Sequence, residues 1–169
     1  MTEVRIPAAL GARVLEHAAG GYPLEVCGLL IGVADGDGAA LRVTRTLPCP
    51  NVAPAEERHH RFAIDPRVII NVQRTLRGTP ERILGFYHSH PDAAAEPSAT
   101  DMEYVRLWPE TVWLIVPVSG GAAGQPRVWW LDGADAPAAR ELTLRTVRPR
   151  SEPAPCPDHL PAHGGAPCG

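Results

Sequence analysis

The stretch Ile83-Leu84-Gly85-Phe86-Tyr87-His88-Ser89-His90-Pro91, with Ser98-Ala99-Thr100-Asp101 after it, decides how this chain is read. Ile83 to Ser89 is an apolar run that reads as a strand carrying histidines at its end. Side chains on a strand repeat every two residues, so His88 and His90 point the same way and can share one metal ion. Pro91 to Pro97 reads as a loop, and Ser98 opens a helix running to about Leu107. Asp101, eleven residues after His90, then lies in the first turn and can fold back as a third ligand. Three protein ligands and one open position describe catalytic zinc, whereas structural zinc takes four, mostly cysteines. Zinc lowers the pKa of bound water to about 7, and a nearby carboxylate is needed to move the proton. Ser98 could donate to the oxyanion of a tetrahedral intermediate.

Working outward, residues 7–19 show helical spacing in Leu10, Val14, Leu15 and Ala18, closed by Gly20-Gly21. Tyr22-Pro23-Leu24-Glu25 is a turn into the apolar run 26–33, a buried strand whose antiparallel partner is 40–47. Residues 48–58, with Pro48, Pro50 and Pro54, form a loop, and 60–64 reads as a short strand. Asp65-Pro66 caps a helix to about 77 that buries Val68, Ile69, Val72 and Leu76. Strands are expected at 111–118, 127–131 and 141–147. The expected class is α/β (α+β): a mixed, mainly antiparallel central sheet with a helix on either side. Residues 1–149 form one domain, and the Pro/Gly-rich tail 150–169 is expected to be disordered.

The chain has 169 residues, enough for one domain with a real core. No apolar run approaches the length of a bilayer span, and the N-terminus lacks the pattern of a secretory signal, so the expectation is a cytoplasmic protein. A net charge of -3 argues against nucleic-acid binding. All 16 basic residues are arginine, in keeping with the Ala, Gly and Pro enrichment of a GC-rich genome. Cys27, Cys49, Cys156 and Cys168 are too few and scattered for a disulfide scaffold, and Cys27 reads as a small buried hydrophobe.

His88-Ser89-His90, seven residues, Ser98, two residues and Asp101 resemble the signature of the JAMM (MPN+) zinc metalloproteases. Tyr22-Pro23-Leu24-Glu25-Val26-Cys27-Gly28-Leu29-Leu30-Ile31-Gly32 is similar to that family's other motif. Arg61-Phe62-Ala63-Ile64-Asp65-Pro66 is similar to the segment before the long helix of bacterial members. The resemblance spans roughly 4–147 and implies the JAMM/MPN fold. It implies one zinc ion held by His88, His90 and Asp101, with Glu25 as the base that activates water and Ser98 as transition-state stabiliser. It further implies cleavage of a peptide or isopeptide bond at the Gly-Gly terminus of a ubiquitin-like or sulfur-carrier protein. A general deubiquitinase-like isopeptidase and a non-catalytic scaffold are the alternatives, and a homodimer stays open.

Other readings compete locally. His88-Ser89-His90-Pro91-Asp92 begins like a metallo-β-lactamase motif, but Ala93 stands where a histidine is required. His59 and His60, neighbours on an extended chain, are expected to point apart. Asp92 and Glu96 are expected to be solvated, the tryptophans to pack in the core, and the tail's Cys156, His159, His163 and Cys168 to carry no site.

Overall fold

In a computed structural model that describes residues 1–36, 38–133 and 138–148, the chain builds one mixed sheet around which three helices pack. Its elements are β1 (Glu3–Pro7), α1 (Ala8–Gly21), β2 (Cys27–Ala34), β3 (Ala40–Cys49), α2 (Pro66–Thr75) and β4 (Arg82–Pro91). They continue with α3 (Ala99–Tyr104), β5 (Thr111–Ser119), β6 (Ala122–Ala123), β7 (Arg127–Asp132) and β8 (Ala138–Val147). The sheet runs β4-β2-β3-β1-β8-β7-β5-β6, and a further β4–β5 pairing closes it on itself. Among the described residues five strand pairings are antiparallel and three parallel, so the sheet is mixed and mainly antiparallel as expected.

Strand β4 explains the sequence that carries the histidines. It lies between β2, antiparallel, and β5, parallel, and an apolar cluster covers each of its faces, with Leu84 and Tyr87 in one and Phe86 in the other. Residues buried on both faces need no polar alternation, and Leu84 through His90 are all buried. Gly28 and Gly85 permit the close approach of these strands. A Cβ at Gly28 would lie 2.3 Å from the Tyr87 ring, and one at Gly85 would lie 1.9 Å from the Val112 carbonyl oxygen.

The sheet separates two apolar clusters. One draws Val4, Ile6, Leu30, Val43, Tyr87, Leu114 and Val128 onto the face where α1 packs through Val14 and Ala18. The other joins Leu29, Ile31, Phe86 and Trp113 to Ile69 of α2 and to Leu76, Phe62 and Val105. His88 and His90 share strand parity with Phe86, which puts them on the second face, beside α2 and α3.

Several elements differ from the sequence reading. β1 was not expected, although Val4 and Ile6 point inward and Glu3 and Arg5 outward with strand periodicity. Residues 60–64 form no strand. Their backbone bonds mostly outside any ladder: the Asn51 side chain takes the Arg61 carbonyl and the Ala63 amide, Tyr104 Oη donates to the Phe62 carbonyl, and the Val52 amide donates to the Ala63 carbonyl. α3 stops at Tyr104, and β8 begins at Ala138. The disorder expected over 150–169 lies outside the described residues, as do Cys156, His159, His163 and Cys168. Among the described residues no helix is long and apolar enough to cross a membrane.

Candidate metal centre

The end of β4 and the start of α3 meet at one point. His88 Nε2 and His90 Nε2 face each other at 2.9 Å. Asp101 Oδ1 lies 3.3 Å from His88 Nε2, and its Oδ2 lies 3.3 Å from His90 Nε2. All three residues are buried, and their ligand atoms lie within 4.8 Å of one another. Zinc–nitrogen bonds of about 2.0–2.1 Å at tetrahedral angles put neighbouring ligand atoms roughly 3.3 Å apart. Two imidazole nitrogens and a carboxylate oxygen at such spacings therefore fit a zinc ion.

Local structure fixes each donor. His90 Nδ1 sits 2.7 Å from the Ala94 carbonyl oxygen and donates to it, leaving Nε2 as the ligand atom. Asp101 is the N3 residue of α3 in a capping box with Ser98: Asp101 Oδ2 accepts from the Ser98 amide at 2.7 Å, and Ser98 Oγ accepts from the Asp101 amide at 3.1 Å. The Ser98 hydroxyl also donates to Asp101 Oδ2 at 2.8 Å. His88, fully buried, stacks on Phe62 and meets Trp113 edge-on. Its Nδ1 has no hydrogen-bond partner among the described residues.

The electrostatics follow from burial and from this clustering. Burial pulls the His88 imidazolium below its usual range, against the pull of Asp101. Burial also lowers His90, but hydrogen bonding and charge from Asp101 outweigh it and leave His90 raised. Burial disfavours the Asp101 carboxylate, yet His88, His90 and the Ser98 amide hold it far below the ordinary value. Glu25, 5% exposed, is pushed up to about 8, chiefly by burial. The charge of His90 lowers it and that of Asp101 raises it further.

Glu25 sits just before β2, outside any ladder, and is held from several sides. Its amide donates to the Arg58 carbonyl at 2.7 Å, and Asn51 Nδ2 donates to its carbonyl at 2.9 Å. Ser89, between the two histidines, is buried and bonds twice to Val26, the residue after Glu25. Ser89 Oγ accepts from the Val26 amide and the Ser89 amide donates to the Val26 carbonyl, each at 3.0 Å. One strand thus sets the histidines and the carboxylate segment in common register. Ser89 and Asn51 had no role in the sequence reading; a serine between two converging histidines was the available signal.

The competing residues lie elsewhere. Asp92 and Glu96 are exposed, as expected; Asp92 accepts a hydrogen bond from Tyr22 Oη, and Glu96 pairs with Arg127. His59 and His60 lie in a turn, not on an extended strand, and bring their ring nitrogens to 2.9 Å of each other, correcting the expectation that they point apart. Cys27 is buried, as expected, and burial pushes its thiol up to about 12. Of the four tryptophans only Trp113 is fully buried.

Comparison with known proteins adds to this geometry. The family model described as prokaryotic homologs of the JAB domain matches residues 7–132. A protein named desampylase from Haloferax volcanii is 40% identical over 126 residues, covering 71% of this chain and 86% of that protein. The 26S proteasome regulatory subunit rpn11 of Schizosaccharomyces pombe is 30% identical over 110 residues, covering 62% of this chain and 34% of that protein. The solution structure of protein DSY2949 from Desulfitobacterium hafniense aligns with a TM-score of 0.67 at 27% identity, over 86% of this chain and 94% of that one.

Proposed function

Since the chain belongs to the prokaryotic homologs of the JAB domain, we propose that it is a zinc-dependent isopeptidase acting at the C-terminal Gly-Gly of a ubiquitin-like protein, with residues 1–149 as its catalytic domain. The observation that carries the reading is the meeting of two imidazole nitrogens and one carboxylate, all buried, within 4.8 Å of one another. A relative at 40% identity is named desampylase, which supports a modifier conjugate as substrate.

His88 Nε2, His90 Nε2 and an Asp101 oxygen would hold the ion. Bound there, zinc supplies a Lewis acid that polarises a carbonyl and acidifies water. Glu25 is the base. Its raised proton affinity suits it to take a proton from water near neutral pH and hand it to the leaving amine. A neighbouring cation would draw that affinity back down. Water oxygen adds to the amide carbon, the C–N bond breaks, and the proton carried by Glu25 ends on the amine nitrogen. Ser98 Oγ is the donor to the carbonyl oxygen, its O–H turning from Asp101 when substrate is present.

The test combines metal content with two probes: a ubiquitin-fold protein ending in Gly-Gly, joined once to a lysine side chain and once to an α-amine. The expected result is one zinc per chain and cleavage of the lysine-linked probe, both lost in Asp101→Ala. Faster release from the α-linked probe would instead favour the sulfur-carrier reading. Purified protein that holds no zinc and cleaves neither probe would establish a scaffold.

A further inference from the structure

The loop from Pro50 to Ala63 touches Glu25, His88 and the end of α3. Asn51 uses its full hydrogen-bonding capacity there. Its Nδ2 donates to the carbonyls of Glu25 and Arg61 at 2.9 and 3.0 Å, and its Oδ1 accepts from the amides of Ala53 and Ala63 at 3.0 and 3.1 Å. Arg58, in the same loop, accepts from the Glu25 amide. Both main-chain groups of Glu25 are therefore fixed by one loop rather than by the sheet. Eleven residues beyond Asn51, the Phe62 ring, 4% exposed, lies 4.7 Å from the His88 ring at an interplanar angle of 30°. Phe62 also stacks on Tyr104, the last residue of α3, whose hydroxyl donates to the Phe62 carbonyl at 2.7 Å. α3 is the helix that carries Asp101.

His90 is oriented by its hydrogen bond to the Ala94 carbonyl, the usual device for a metal-ligating histidine. His88 is held differently: its ring stacks on Phe62 and meets Trp113 edge-on, and those two rings also pack on each other. We propose that residues 50–63 form a positioning clamp in which Asn51 fixes the main chain of Glu25 and Phe62 fixes the ring of His88, so that one loop sets base and metal ligand relative to each other. The Asn51 half rests on the reading of Glu25 as base, whereas the Phe62 half requires only that His88 binds metal.

The halves separate by measurement. Outer partners of metal ligands are worth about 10- to 100-fold in affinity or rate. Phe62→Leu keeps apolar bulk and loses the stacked ring, so zinc affinity, read by competition with a chromophoric chelator, should fall about 10-fold. Leu76→Ala, in the same apolar cluster, should lower thermal stability and leave zinc affinity unchanged. Asn51→Ala should lower kcat on the lysine-linked probe about 10- to 100-fold, with KM and zinc affinity within about 3-fold of wild type. Asn51→Asp, isosteric and still able to accept from Ala53 and Ala63, should lose kcat likewise, so the result stands even where the alanine variant folds poorly. Unchanged zinc affinity in Phe62→Leu, or unchanged kcat in Asn51→Asp, overturns the clamp. Full activity in Glu25→Gln would overturn the base assignment instead and leave the Phe62 result standing.

Discussion

Burial pushes Glu25 from an ordinary 4.5 to about 8, and this makes the folded state of the metal-free protein pay for its base. A carboxyl raised on folding binds a proton in the native state that the unfolded chain has already released. Its penalty is absent below the unfolded value, grows as pH rises above about 4.5, and levels off above about 8. The slope is about 1.4 kcal/mol per pH unit, so by pH 7 the cost is about 3 kcal/mol. Glu25→Gln keeps the shape and removes the charge. Urea unfolding of chelator-treated wild type and variant, at steps from pH 4.5 to 8, reads Glu25 together with the groups coupled to it, because titrations uncoupled from it cancel in the difference. The variant should match wild type near pH 4.5 and exceed it by about 3 kcal/mol at pH 7. A difference that stays flat with pH would refute the reasoning.

Ser89→Ala removes the acceptor of a half-buried amide, that of Val26, and should destabilise the protein by about 1 kcal/mol in urea unfolding, while the exposed Thr143→Ala stays within about 0.5 kcal/mol. Ser98→Ala deletes the cap of α3 and should cost about 1 kcal/mol of stability with zinc retained, and about 100-fold in kcat if Ser98 serves the carbonyl oxygen. His90 is raised because Asp101 outweighs the effect of burial, and protons then compete for its Nε2. Zinc affinity by chelator competition should therefore fall as pH drops through that raised value, and a flat profile down to pH 5 would contradict it. The Cys27 thiol, pushed up to about 12 by burial, should resist an aromatic disulfide reagent in native protein at pH 8 and react once unfolded.

Much of this was legible before any coordinates. The run from Ile83 to His90 announced a strand, and its lack of polar alternation follows from both faces of β4 packing into apolar clusters. The i, i+2 spacing of His88 and His90 and the helix start at Ser98 were enough to bring both rings and Asp101 together. What stayed hidden is contact made across sequence distance. Asn51 lies in a proline-marked stretch that reads only as a loop, and its bonds to Glu25 and Arg61 span 26 and 10 residues. Residues 60–64 have the composition of a strand but spend their backbone groups on Asn51 and Tyr104, which no local pattern reports. β1 was missed for a plainer reason. It is five residues long, and its inward Val4 and Ile6 were too few to register beside the stronger helix that follows.

The central claim is that Glu25 moves the proton while His88, His90 and Asp101 hold the metal. Glu25→Gln, loaded with zinc and mixed in excess with the lysine-linked probe for a single turnover, tests it most directly. The account predicts one zinc per chain, as in wild type, and a cleavage rate lower by at least about 100-fold. Cleavage at the wild-type rate by that zinc-loaded variant would contradict it.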